Sequence, residues 1–383
     1  RIELLTEAAR LASPDDLRTR ALLAAQLASE LTWAPDGDRR FELSDEAVEL
    51  ARRSGDPRTL VAVLGLRNLT ISAADTLARR RADGDEMLAA ARRTGDALAL
   101  FHATFQRTGP SLEAGDTARV AELLEEADEL ARRLAQPHLV WLVSFSRTGL
   151  ALMRGEVGRA ETEAGRALRL GTEIGRGQEA LLFHVKQLAE IRRLQGRLDE
   201  LGEGLRAAGA TPRFDPAREL LRYLCELGAE EAAPMLERTV AASGVLPRRD
   251  LAERAALDNL ALAACRLGRD ELIEPLYEAL APYGETFGHS VVAHHCGHHY
   301  LGHLAAAAGW TDRAGAHFQA ASRVHRRSGV PLLLAESLLD WAELVEGRGV
   351  AGPEAADLQE QAQAAVAGRD AVLLERRLEL VRR

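Results

Sequence analysis

ELARRSGD at residues 49–56 reads as the end of a helix: apolar and charged residues at helical spacing, then Gly55, then Asp56. Glycine has no Cβ and reaches the left-handed conformation that closes a helix, and a following aspartate can cap the next one. The same wording recurs. AAARRTGD (89–96) places Gly95 there, ELARRLAQ (129–136) places Ala135, and RLGTEIGR (169–176) places Gly175, so the marker returns every 40 residues. A second marker lies between these: LEAGDTARVAELL (112–124) turns at Gly115, LMRGEVGRAE (152–161) at Gly155 and LQGRLDEL (194–201) at Gly196. Later, RLGRDELIEPL (266–276) turns at Gly268 and AAGWTDRAGAHF (307–318) at Gly309, and RVHRRSGVP (323–331) restores the first marker at Gly329.

Each repeat therefore reads as a helix, a Gly-centred turn, a second helix and a break. Pro57, Pro137 and Pro331 fall in the first turn of the helix that follows a break, where a missing N–H costs little. Leu60, Val63, Leu64, Leu66 and Leu69 show the helical spacing within. A period near 40 is that of stacked helical hairpins, each burying its apolar face only against its neighbours. The expectation is an all-α, tetratricopeptide-like α-solenoid of about nine hairpins, forming a single superhelix over 1–383. An irregular repeat or bend is expected at 205–250, where TPRFDP (211–216) and SGVLPRRD (243–250) break the pattern, and a terminal helix over 370–383. Residues 1–12 read as an orphan second helix, so the chain is expected to be part of a longer multidomain protein.

Composition agrees. The 383 residues are 46% hydrophobic but 4% aromatic, an Ala/Leu/Arg/Glu alphabet that leaves little room for a β-rich fold. The 58 acidic and 49 basic residues give a net charge of −9, which argues against wrapping nucleic acid or coating an anionic membrane. Cys225, Cys265 and Cys296 stand singly, as suits a reducing cytoplasm. No apolar run approaches the roughly 18 residues of a membrane span. There is no G-x-x-x-x-G-K-[ST], G-x-S-x-G, H-E-x-x-H or C-x-x-C motif. The carboxylates Glu122, Glu125, Glu126, Asp128 and Glu129 read as a solvated helix face. Catalysis by this region alone is not expected, and no cofactor is implied.

Two constellations stand out. Eight residues before the turn position come Arg67, Arg107 and Arg147, equivalent places in consecutive first helices. Stacked in a solenoid they would form a ladder on the concave face, flanked by His102, Gln106, Trp141, Lys186 and Gln187. Like charges in a column need solvent, acidic partners or an anionic ligand, and arginine binds carboxylate or phosphate through its fork. Pairing with carboxylates of neighbouring helices and binding of an anionic ligand or acidic peptide are both open. Phe105 and Phe145 share another column, suited to core packing or apolar ligand contact.

The second constellation is GHSVVAHHCGHHYLGH (288–303), holding six of the 11 histidines. Read as one helix, it sets His295, His299 and His303 on one face and His294 and His298 on the adjacent one. Imidazoles one turn apart can chelate Zn²⁺, Ni²⁺ or Cu²⁺, which makes these five weak metal candidates. Neutral imidazoles bonded across a groove are the plainer reading, and neither flanking helix offers an obvious further ligand set. Gly297 and Gly302 point to close approach by a neighbour or a ligand.

Four stretches resemble the C-terminal tetratricopeptide-like repeat region of large actinobacterial multidomain ATPase regulators. They are LARRSGDPRTLVAVLGLRNLTI (50–71), LAQPHLVWLVSFSRTGLALMRGEVGRAE (134–161), EPLYEALAPYGETFGHSVVAHH (274–295) and HYLGHLAAAAGWTDRAGAHFQAASRVHRRSGVPLLLAESLLDWAEL (299–344). That group includes LuxR-type transcriptional regulators and adenylate cyclase-like proteins with an AAA-type signal-transduction ATPase. The resemblance implies a sensor or scaffold arm, holding a small-molecule inducer or a protein partner in its groove and controlling an ATPase domain of the same polypeptide. It implies no direct nucleic-acid or membrane binding. His299 matches the histidine of the family's HYLG motif, and the surrounding run is denser than the family's. The expected ligand contacts are Arg67, Arg107, Arg147, His102, Gln106, Trp141, Gln187, His295 and His299. A stand-alone adaptor bridging two proteins, and a metal- or histidine-dependent site at 294–303, are the alternatives.

Overall fold

The computed structural model describes residues 1–32, 34, 37–209, 216–243, 249–250, 252–289, 292–350 and 352–381. Among these the chain is all-α, with 21 α-helices, short 3-10 turns and one two-stranded hairpin. No helix is long and apolar enough to cross a membrane.

The repeat glycines do what their spacing predicts. Gly55, Gly95, Gly115, Gly155, Gly175, Gly196, Gly268, Gly309 and Gly329 all have φ between 63° and 78°. At Gly155 the turn closes by two bonds, Gly155 N–H to the Leu152 carbonyl (3.0 Å) and Glu156 N–H to the Ala151 carbonyl (2.8 Å). This is the pattern that satisfies the last carbonyls of a helix. Asp56 and Asp96 then cap the next helices, accepting from the Thr59 N–H and from the Leu98 and Ala99 N–H groups.

Contacts divide the chain into two compact units. The first comprises Arg1–Ser111 and Ala118–Val140, with Arg249 and Asp250. In it Leu17–Leu31 packs on Arg39–Ser54 and Pro57–Thr70, and Leu77–Thr94 packs on Pro57–Thr70 and Ala97–Gln106. Small residues at the contacts (Ala21, Ala25, Ala47, Ala51, Ala90, Ala91, Ala103) bring the helices close around Val63, Leu64 and Met87.

The second unit comprises Leu112–Thr117, Trp141–Arg248 and Ala252–Arg383. Its pairs include Val157–Glu173 with Gly177–Leu194, Glu253–Arg266 with Asp270–Leu280, Gly297–Ala307 with Thr311–Ser328, and Pro331–Arg348 with Ala355–Val366. The helices Gly297–Ala307 and Pro331–Arg348 also touch each other, as alternate helices of a hairpin stack do. One core gathers Leu224, Leu257, Leu260, Leu276, Leu301 and Leu304; another gathers Phe318, Leu338, Leu339, Trp341, Leu358 and Leu374.

The irregular stretch at 205–250 contains the helices Pro216–Leu227 and Ala229–Ser243, the latter with Pro234 inside it. Its breaks at 211–215 and 244–248 lie outside the described residues. The terminal helix runs Val372–Val381, and residues 382–383 of the expected span also lie outside.

One element differs outright. The histidine run is not a single helix: Phe287–His289 and Ala293–Cys296 pair as antiparallel strands, and the helix starts only at Gly297. The tight approach at the hairpin base explains the break. A Cβ at Gly297 would sit 2.4 Å from the Tyr283 carbonyl oxygen, and His298 N–H bonds the Gly284 carbonyl at 2.8 Å. At Gly302 a Cβ would meet the Phe318 ring at 2.8 Å. For both glycines the close partner is a neighbouring element of the chain.

Candidate functional site

The arginine column does not offer free charge in the first unit. Arg67, on Pro57–Thr70, is 5% exposed and forked between Asp83 (2.7 Å) and Asp45 (2.8 Å), with Ser44 Oγ at 3.0 Å. Arg107 is buried and paired with Asp85. Asp45, on Arg39–Ser54, and Asp85, on Leu77–Thr94, reach these arginines from the preceding hairpin, and Asp83 reaches Arg67 from within its own. Of the two readings left open by the sequence, pairing with neighbouring carboxylates is the one visible at these two arginines. Their charge would be too costly to bury without such partners. Arg147 lies in the second unit and is half-buried.

The residues expected to flank the column are dispersed. His102 and Gln106 are half-buried in the first unit. Trp141 is 1% exposed in the second, its ring stacked on Phe183 at 5.9 Å and 5.5 Å from Phe145. Buried Gln187 donates from Nε2 to the Phe145 carbonyl at 2.8 Å. Trp141, Phe145 and Gln187 thus serve packing, and Phe105 stacks on buried Phe101.

The histidine run, by contrast, faces a cavity of about 490 Å³ inside the second unit. His295, His299, His303 and Tyr300 line it together with Arg193, Arg222, Glu336, Asp340 and Arg377. Helix Pro331–Arg348 supplies the partners that the sequence reading lacked. His295 Nε2 meets Glu336 Oε2 at 2.7 Å, His299 Nδ1 meets Ser337 Oγ at 2.9 Å, and His303 Nε2 meets Asp340 Oδ2 at 3.0 Å. The rings of His295 and His299 stack at 3.7 Å. His294 and His298 point elsewhere, to Asp258 (3.3 Å) and to His317 (3.0 Å).

Beneath this row lies a buried ion network. Arg193 Nη2 bridges Glu190 (2.7 Å) and Glu336 (2.6 Å), Arg222 lies 3.3 Å from Glu190, and Tyr223 donates to Glu190 at 3.1 Å. Burial opposes ionisation of Glu190, but Arg193 and Arg222 outweigh it and hold its carboxyl at about 2. Glu336 is likewise held well below the ordinary carboxylate range against its burial, chiefly by Arg193. Burial pushes His295, His299 and His325 down, so these imidazoles are neutral near pH 7. Arg222, 5% exposed, has an Nη1 with no hydrogen-bond partner.

Neither cysteine near this region is poised as a nucleophile. Burial raises the Cys225 thiol, on the cavity wall, to about 11 and the Cys296 thiol to about 12. Thiols that keep their proton at neutral pH react slowly.

No protein-family model and no curated protein matches the chain. Among solved structures, one match is described as a circular tandem repeat protein with novel repeat topology and enhanced subunit contact surfaces. It is 17% identical, with 99% of this chain and 88% of that one covered, and the TM-score is 0.21. At that score the likeness carries no argument about this chain.

Proposed function

We propose that the chain is a binding module and not an enzyme, a regulatory arm whose ligand is a small polar molecule carrying a carboxylate or phosphate. The ligand's place is the cavity of the second unit, not the Arg67–Arg107 column. The supporting observation is Arg222: a buried guanidinium with an unpartnered Nη1 on the wall of a 490 Å³ cavity. That volume is typical of small-molecule sites, and an unmade bond at a buried charged donor is costly enough that a ligand oxygen is its natural complement. Arg266 on the same wall, with its side chain 43% exposed, would meet the ligand on entry. The three imidazoles and Tyr300 would sort ligands by their hydroxyl and amine groups.

The regulatory part of the proposal rests on the resemblance of residues 50–71, 134–161, 274–295 and 299–344 to repeat regions of multidomain regulators. It extends to an ATPase domain in the same polypeptide, a transcriptional output and a cytoplasmic setting. Screening sugar phosphates, amino acids and di- and tricarboxylates by thermal shift and calorimetry tests the binding reading. An anionic ligand is expected to lose about tenfold or more in affinity with Arg222→Met, as loss of a charged hydrogen bond does, and less with Arg266→Ala. If no anion stabilises the protein, or the ligand found ignores both substitutions, the cavity is not the site. A protein partner bound elsewhere would then be the better reading.

A further inference from the structure

The histidines on the cavity wall converge on a carboxylate in a way that simple hydrogen bonding does not require. Helix Gly297–Ala307 sets His299 and His303 one turn apart on the same face. Helix Pro331–Arg348 brings Asp340 opposite them. Asp340 Oδ2 lies 3.0 Å from His303 Nε2 and 3.6 Å from His299 Nε2, and each group offers a ligand atom within 4.8 Å of the other two. In a tetrahedral site with bonds of about 2.0–2.2 Å, ligand atoms stand roughly 3.3–3.6 Å apart. The arrangement is therefore a small side-chain adjustment away from a coordination triangle.

We propose that His299 Nε2, His303 Nε2 and Asp340 Oδ2 bind a divalent transition-metal ion whose remaining positions face the cavity. Two imidazole nitrogens and one carboxylate oxygen suit Zn²⁺ or Fe²⁺ better than the all-oxygen preference of Ca²⁺ and Mg²⁺ or the thiolate preference of Cu⁺.

The surroundings of the three groups match what metal ligands need behind them. His299 turns its other nitrogen, Nδ1, to Ser337 Oγ at 2.9 Å, which leaves Nε2 free to coordinate. Asp340 gives its other oxygen, Oδ1, to Arg377 at 2.7 Å, which fixes the carboxylate as a one-oxygen ligand. Among the described residues no fourth such group joins the three, and all three line the cavity. The ion would thus keep positions open for water or for a donor atom of a bound molecule. On binding, His303 gives up its Nε2 contact with Asp340 and offers that nitrogen to the ion. The inference does not depend on the organic ligand proposed above, since the ion has its protein ligands without it.

The test uses the full chain made without a polyhistidine tag, stripped with a chelator, and titrated with Co²⁺ and then Zn²⁺. Visible Co²⁺ bands report the coordination sphere, and competition with a chromophoric chelator gives the Zn²⁺ affinity. One equivalent per chain is expected. His303→Ala and Asp340→Asn should each weaken Zn²⁺ binding about a hundredfold or more, whereas His298→Ala, which alters a ring outside the triangle, should leave it unchanged. Circular dichroism on each variant separates lost ligation from lost folding, and His303→Gln replaces any variant that unfolds. Less than one equivalent in the unmodified chain, or full affinity in folded variants at both His303 and Asp340, overturns the proposal.

Discussion

Ala135 occupies a position that the repeat otherwise gives to glycine, and it bears the consequence. Its φ is 52°, and it is the one non-glycine residue with positive φ among the described residues. Its N–H closes the helix onto the Arg132 carbonyl at 3.2 Å, much as Gly55 N–H does onto Arg52 at 3.1 Å. The turn therefore forms in spite of the methyl group. A left-handed L-residue costs roughly 1–2 kcal/mol, while glycine's extra freedom in the unfolded chain gives back about 0.4–1 kcal/mol. The first effect outweighs the second. Ala135→Gly should stabilise the protein by about 0.5–1 kcal/mol, read as a higher urea midpoint with unchanged slope. A lower midpoint would mean that the methyl makes contacts worth more than its strain. The buried arginines show the opposite situation. Arg67 fits its place because Asp45 and Asp83 come with it, and no strained conformation is needed.

At the scale of helices, Gly302 decides how closely Gly297–Ala307 can lie on Thr311–Ser328. A methyl there would meet three carbons of the Phe318 ring at 2.8–2.9 Å, and that ring is fully buried, stacked toward Trp341 at 6.4 Å. A confined ring yields poorly, so Gly302→Ala should destabilise by about 1–3 kcal/mol in urea titration despite its better helix propensity. An unchanged midpoint would show that the two helices can separate without loss. The turns of this hairpin were readable from the sequence because a left-handed turn has a residue signature and the signature repeats. The strands Phe287–His289 and Ala293–Cys296 were not, since the helical spacing of His295, His299 and His303 extends a helix pattern backwards through them. The partners of those histidines are hidden in the sequence for another reason: they lie 41, 38 and 37 residues on, at Glu336, Ser337 and Asp340. These separations are close to one repeat period. Adding 40 to each histidine lands on Ala335, Leu339 and Glu343, within three residues of those partners and on the helix that carries them, whereas adjacent helical text holds none of them.

At the scale of the whole molecule, seven histidines among the described residues (His102, His184, His295, His298, His299, His317 and His325) have their pKa lowered, in every case first by burial. His317 is brought to about 4. Above about pH 6.5 these rings are neutral folded or unfolded and do not affect stability. As pH falls below that value the unfolded chain takes up protons that the folded chain refuses, so stability must decline. Each proton wholly refused costs about 1.4 kcal/mol per pH unit. Acidification also reduces the net charge of −9 and relieves self-repulsion, but that effect is between exposed charges and is screened over about 8 Å at physiological salt. The histidine effect should win. A second loss begins lower down. Glu190, held at about 2 when folded against 4.5 as a free side chain, contributes about 3 kcal/mol above pH 4.5, and that contribution disappears as pH falls towards 2. The unfolding free energy measured in urea should thus be level from about pH 9 to 7, fall from about pH 6.5, and fall more steeply below about pH 4.5. Stability unchanged between pH 7.5 and 5.5 would mean that the buried imidazoles accept protons where they stand, and the neutral row along the cavity would have to be abandoned.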